Sequence, residues 1–211
     1  MFDEVVEISV RSILISGSAT LLASLFGLPL AYLAVVKAKV RSFVPIAESL
    51  SGMPTVLIGL LLYMLLSRDG PLGFLNMLYT PQAIIVGQAV LVVPLIIATS
   101  FGALRTSYES VGELAITLGA TDLQVMLTVL KESLNRVLAS LMIAFSRALG
   151  ELGIALMVGG NIRGETRVFS TSIALSVAVG EFNEAVKLGL ILLAVETSLI
   201  VCVRMLQGLE R

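Results

Sequence analysis

Four stretches of this chain, residues 12–36, 43–66, 81–103 and 188–206, run for about twenty residues each with at most two charges. A helix of about 20 apolar residues crosses the hydrocarbon core of a bilayer. A fifth stretch, 137–158, qualifies despite carrying Arg147 and Glu151. Composition agrees: 57% of residues are hydrophobic and 14% charged, against about 45–50% and 25% in soluble domains. The expected fold is all-α and integral to the membrane, one transmembrane domain over residues 1–211, multi-pass and bathed in lipid.

The basic residues suggest an orientation. With the N-terminus outside, the cytoplasmic ends hold Lys37, Lys39, Arg41, Arg105, Lys131, Arg136, Arg204 and Arg211. The outer ends hold Arg11, Arg68, Arg163, Arg167 and Lys187. Eight against five favours N-outside and C-cytoplasmic, with Lys37–Arg41 the densest cluster. The segment 168–179 is too short to span and reads as a re-entrant or surface helix. Gly27 and Pro29 in the first span, Pro54 in the second and Pro94 in the third are expected interruptions, either kinks at packed interfaces or the lining of a path. Gly17, Ser18, Ala19, Gly52 and Gly59 read as small residues for close helix packing.

Several chemistries are closed off. The chain has no His and a single Cys, Cys202, in an apolar stretch, so neither zinc, nor His acid–base catalysis, nor an intramolecular disulfide is expected. No catalytic residue and no metal site is anticipated. The net charge of −1 gives no electrostatic footprint for nucleic acid. The first ten residues are acidic, with Asp3, Glu4 and Glu7, and carry no cleavable-signal pattern.

The longest connection, residues 104–136, carries a pattern. Val111, Leu114, Ala115 and Leu118 fall at i, i+3, i+4, i+7, and Leu123, Met126, Leu127 and Leu130 repeat the spacing, predicting two short amphipathic helices. Gly119 suits the end of the first, and Thr121 with Gln124 makes a capping box for the second. The prediction is a helical hairpin under the membrane, one stripe against the bundle and the other free for a partner.

Glu113-Leu114-Ala115-Ile116-Thr117-Leu118-Gly119 resembles the EAA-x3-G signature of permeases of ATP-binding-cassette (ABC) importers. The I-x-L-P continuation is only partly kept, at Val129, Leu130, Lys131 and Glu132. Phe145–Gly153 is similar to the F-x-R-x-[LI]-[GS]-E-x-G stretch of molybdate and tungstate permeases, Gly160–Arg167 to their NI-x-G-x-T-R loop, and Leu66–Gly73 to their L-x-R-x-GPLG loop. Gly159-Gly160 and Lys131-Glu132 look most like the tungstate branch. The resemblance implies a type I ABC importer permease fold of about five transmembrane helices with a cytoplasmic coupling helix. It implies a homodimer, an ABC ATPase on the cytoplasmic side and an extracytoplasmic substrate-binding protein. Glu113, Leu114, Ala115, Gly119 and Ala120 would then meet the ATPase. No G-x4-G-K-[ST] loop occurs, so ATP and Mg would sit on that separate subunit, and this chain would be non-catalytic.

Arg147 and Glu151, four apart within a span, are expected to pair, either fixing packing or bordering the translocation path. Glu48 and Glu196 also fall at or within spans, without an assigned role. Asn161, Arg163 and Arg167 lie on the outer side. They form either an ordinary turn with solvated arginines or forked donors where an oxyanion or its binding protein arrives. The function read from these features is translocation of tungstate or molybdate into the cytoplasm across the cell membrane. The alternative is a stand-alone secondary transporter or channel for a small anion.

Overall fold

The computed structural model describes residues 2–208. The side chains of Asp3 and Cys202, and Arg211, lie outside the described residues. Ten α-helices follow one another among these residues: α1 (Phe2–Val36), α2 (Ala38–Arg41), α3 (Val44–Ser51), α4 (Thr55–Leu66), α5 (Pro81–Ser107), α6 (Glu113–Thr117), α7 (Asp122–Leu149), α8 (Gly153–Gly159), α9 (Phe169–Ala178) and α10 (Phe182–Gly208). Among the described residues no strand occurs.

Helices α1 and α5 are each long and apolar enough to cross a membrane unbroken. Two bent pairs are long and apolar enough only when each is taken as one broken span: α2–α3 meets α4 at 99°, and α7 meets α8 at 57°. The last apolar run falls within α10, which at 1.5 Å per residue is about 40 Å long. At ten residues, α9 is far shorter than a crossing.

The proline expectation divides. Pro29 and Pro94 lie inside continuous helices, so neither ends its span. Pro54 does stand at a break, immediately before α4. The second break, at Gly150–Leu152, had no proline to announce it: Gly150 ends α7 and the chain restarts at Gly153.

Small residues fill many of the inward positions of α1 and of the second half of α7. On α1 the residues Ser12, Ser16, Ala19, Ala23 and Ala31 are buried, while Leu14, Leu21, Leu25 and Phe26 are exposed. On α7 the buried stripe is Val125, Val129, Ser133, Val137, Ser140, Ala144 and Ala148, at steps of three and four. Lipid tails are as apolar as leucine, so large side chains gain little by turning inward. Close backbone approach supplies the packing instead. The buried hydroxyls return to their own helices: Ser12 donates to Ile8 O, and Ser133 to Val129 O, both at 2.7 Å.

Gly27 shows how close the approach is. A Cβ placed there would sit 2.9 Å from Ile96 Cγ2 on α5. Gly27→Val must therefore push α1 and α5 apart, at a cost of about 1–3 kcal/mol. The expected result is a lower thermal unfolding temperature in detergent. Gly102→Ala, where nothing lies within 4 Å of the added carbon, should leave it unchanged.

Candidate functional site

Three groups of residues stand out, one at each end of the bundle and one at the broken helices between them. The first is the hairpin. The two short helices expected in 104–136 are not separate elements but continuations of longer ones. Helix α5 runs on through a π-turn, Tyr108–Gly112, into α6, giving one helical rod from Pro81 to Thr117. The second arm is simply the start of α7, and only residues 118–121 form the tip. Gly119 takes φ +84°, the left-handed conformation that lets the chain reverse. Thr121 N–H donates to Gln124 Oε1 at 2.8 Å, and Gln124 N–H donates back to Thr121 Oγ1 at 3.5 Å, closing the capping box.

The stripes are also shared differently. Val125 and Val129, with Ala115, Ala120 and Leu130 against them, pack on Ala31, Val35 and Leu104. Leu114, Ile116, Leu118, Leu123 and Leu127 all face out, Leu118 at 79% exposure. Both arms therefore leave large apolar side chains exposed around the tip, with Glu113 exposed among them. Gly112 explains how the arms close: a Cβ there would lie 3.0 Å from the Tyr108 ring and 3.1 Å from Val129 Cγ2. Arg136 Nη2 donates to Ser107 Oγ at 2.8 Å, tying the end of α5 to α7. Sequence reading missed this last contact because its partners are 29 residues apart and neither belongs to a motif.

The second group is the break between α7 and α8. Arg147 Nη1 donates to Glu151 Oε2 at 2.7 Å. The two side chains are unequally placed, 39% and 3% exposed. Glu151 does more than pair. Its Oε1 accepts the Ile154 N–H at 3.2 Å, capping the start of α8, and its carbonyl accepts the Ser170 hydroxyl of α9 at 2.7 Å. Gln88 of α5, 1% exposed, donates to the Ala148 carbonyl at 2.9 Å. Gln88 and Ser170 were invisible as site residues, since a lone Gln or Ser in an apolar helix carries no spacing signal.

The two broken crossings meet here. A Cβ on Gly153 would lie 2.9 Å from Thr55 Oγ1 and 3.1 Å from Val56 N, and one on Gly59 would lie 3.1 Å from Met157 Cβ. The half-helices α4 and α8 thus start side by side and pack along their lengths. Glu196 of α10 borders the same place, with Oε1 3.7 Å from the position of a Cβ on Gly150. Glu48 stays exposed on α3.

The third group is the loop 159–168 at the opposite end. It turns through left-handed residues at Gly160, Asn161 and Gly164, and the Tyr79 ring covers Gly160. Thr166 Oγ1 donates to Gly159 O at 2.6 Å and accepts from Ile162 N at 2.8 Å. Arg163 and Arg167 are not free: both reach Glu4, at 2.8 and 3.4 Å. Arg11 pairs with Glu7 and donates to the carbonyls of Gly164 at 2.8 Å and Arg167 at 3.2 Å. The first turns of α1 therefore hold the loop, a tie between residues some 155 positions apart that no local pattern announces.

A bent bundle of apolar helices, with one outward hairpin and a tied loop at the other end, is the architecture of a membrane transport component. The chain belongs to the family described as binding-protein-dependent transport system inner membrane component, which matches residues 23–209. It is 38% identical to a tungstate uptake system permease protein of Peptoclostridium acidaminophilum, over 92% of this chain and 86% of that one. It is 33% identical to a probable anion ABC transporter permease protein of Haloferax volcanii, over 90% and 84%. A solved amino acid ABC transporter with histidines has the same fold, at a TM-score of 0.60 and 15% identity, covering 99% of this chain and 92% of that one. The chain is accordingly a multi-pass inner-membrane permease of the ABC type.

Two outcomes check the geometry. Glu151→Gln keeps an oxygen for the Ile154 amide but loses the ion pair, whereas Glu151→Leu loses both. The leucine variant should be less stable than the glutamine variant by about 1–2 kcal/mol, the usual cost of losing a helix cap, measured by denaturation in mixed micelles. Glu4→Gln should raise hydrogen exchange across 160–168 severalfold and leave the hairpin unchanged.

Proposed function

We propose that this permease carries tungstate, or its close analogue molybdate, into the cytoplasm as one of two identical copies around a shared axis. The observation that carries the reading is the hairpin: large apolar side chains exposed around its tip, at one end of a chain 38% identical to a tungstate permease over nearly its whole length. A separate ABC ATPase, holding ATP and Mg, seats on Glu113, Leu114, Ala115, Gly119 and Ala120. A substrate-binding protein delivers the oxyanion at the other end, near Asn161, Arg163 and Arg167. That assignment puts the hairpin and the C-terminus in the cytoplasm and the N-terminus outside. The clustering of Lys37, Lys39 and Arg41 at the hairpin end supports it.

Motion then has a physical route. ATP binding draws the two ATPases together, and each moves the hairpin it grips. The hairpin cannot move alone, because one arm continues α5 and the other continues α7. Helix α7 passes the displacement to Gly150–Leu152, where the intrahelical ladder is already interrupted and rotation is least costly. There α8 and its neighbour α4 tilt, and access alternates between the two sides. Arg147 flanks this point with its guanidinium partly open, a forked donor suited to a tetrahedral oxyanion.

Leu118→Asp should abolish co-purification with the ATPase while the chain still folds, because Leu118 touches little of its own bundle. Gly119→Val, which strains the left-handed turn, should cut stimulated ATP hydrolysis at least tenfold. Uptake by reconstituted vesicles holding permease, ATPase and binding protein should saturate with tungstate and be competed by molybdate. A chain that moves the anion without an ATPase would refute the reading and leave a secondary transporter.

A further inference from the structure

Away from the three groups, a groove opens beneath the bend between α3 and α4. It encloses about 490 Å³, within the range of about 300–1,000 Å³ found for small-molecule sites. Every residue lining it is apolar, including Leu30 and Ala34 of α1, Phe43, Ile46 of α3, and Val93 and Pro94 of α5. With only apolar side chains on its walls, the groove suits hydrocarbon over a polar occupant.

Its mouth is different. Val40 lines the groove and belongs to α2, which also carries Lys39 and Arg41. Arg41 is engaged: Nη2 donates to Val35 O at 2.8 Å and Nε to Ala34 O at 3.4 Å, closing the end of α1. Lys37 and Lys39 are exposed and make no ion pair among the described residues. The acid on the adjoining helix, Glu48, is itself exposed and unpaired with them. Helix α1 is long enough to cross the bilayer and ends at Val36, so Lys37 and Lys39 follow at its end, where a crossing helix reaches the lipid headgroups.

We propose that the groove and the Lys37–Lys39 pair form a binding site for one anionic phospholipid, acyl chain in the groove and phosphate on the lysines. The charge arrangement selects the occupant. Two like charges two residues apart repel each other, and a headgroup with net negative charge relieves that repulsion where a zwitterionic one does not. A second copy of the chain would have to bring an acidic group to the same spot. The bound lipid would brace α3 against α1 and α5, next to the Pro54 break.

The chain has no tryptophan, so Phe43→Trp places a single emitter in the groove with little change of shape. The full chain carrying it, in phosphatidylcholine nanodiscs, is titrated with lipid brominated on the acyl chain. Brominated phosphatidylglycerol should half-quench at a mole fraction about tenfold below brominated phosphatidylcholine, and Lys37→Gln/Lys39→Gln should bring the two within about twofold. Lys131→Gln, an exposed lysine on α7, should leave the preference intact. Equal quenching by both lipids would overturn the proposal. So would quenching by neither that appears only when the copies are separated, which would make the groove an interface between chains.

Discussion

The carboxylate of Glu151 holds together the part of this protein where a transmembrane helix is cut. A break in lipid exposes amides and carbonyls that water cannot reach, each costing several kcal/mol if left unpaired. Glu151 answers on three sides, capping α8 through Ile154, binding Arg147, and offering its own carbonyl to Ser170. Gln88 supplies the donor for the carbonyl of Ala148 just ahead of the gap. Because these groups are satisfied, α8 can start afresh at 57° to α7 and lie against α4, the other half-helix.

What lies at the two ends follows from stiffness. Small residues let α1, α5 and α7 approach closely, and that contact turns them into rods. At one end two of the rods run straight into the hairpin, leaving four residues of tip. At the other end the connecting loop is held to the start of α1 by Glu4 and Arg11. The Gly150–Leu152 break, where α7 stops and α8 starts in a new direction, is the pivot of the proposed motion.

Much of this was legible in the sequence, for a physical reason. Lipid demands long apolar runs, so the helical, membrane-crossing character of the chain, the Thr121 capping box and the Gly119 reversal could be read from spacing alone. What could not be read were the contacts whose partners lie far apart. Glu4 lies 159 residues from Arg163, and Gln88 lies 60 from Ala148. Proline was a partial guide: Pro54 stands at one break, Pro29 and Pro94 lie inside continuous helices, and Gly150 ends a helix without any proline nearby. The outward leucines of the hairpin also differed from the simple stripe, because α6 is the continuation of a rod whose rotation is set upstream by the π-turn at Tyr108–Gly112. Periodicity predicts which residues share a face, not which way a tethered face will turn.

Whether α7 acts as a rod and Gly150–Leu152 as its pivot can be measured by pulsed electron paramagnetic resonance. Spin labels on the exposed pair Leu134 and Leu156 straddle the break, while labels on Leu123 and Leu138 lie on α7 alone. Labelled chain, diluted with unlabelled chain in the assembled transporter, is compared without nucleotide and with ATP trapped. The 134–156 distance should change between the two states and the 123–138 distance should not. A 134–156 distance that stays fixed in a transporter still cycling ATP would contradict the pivot and the route of motion built on it.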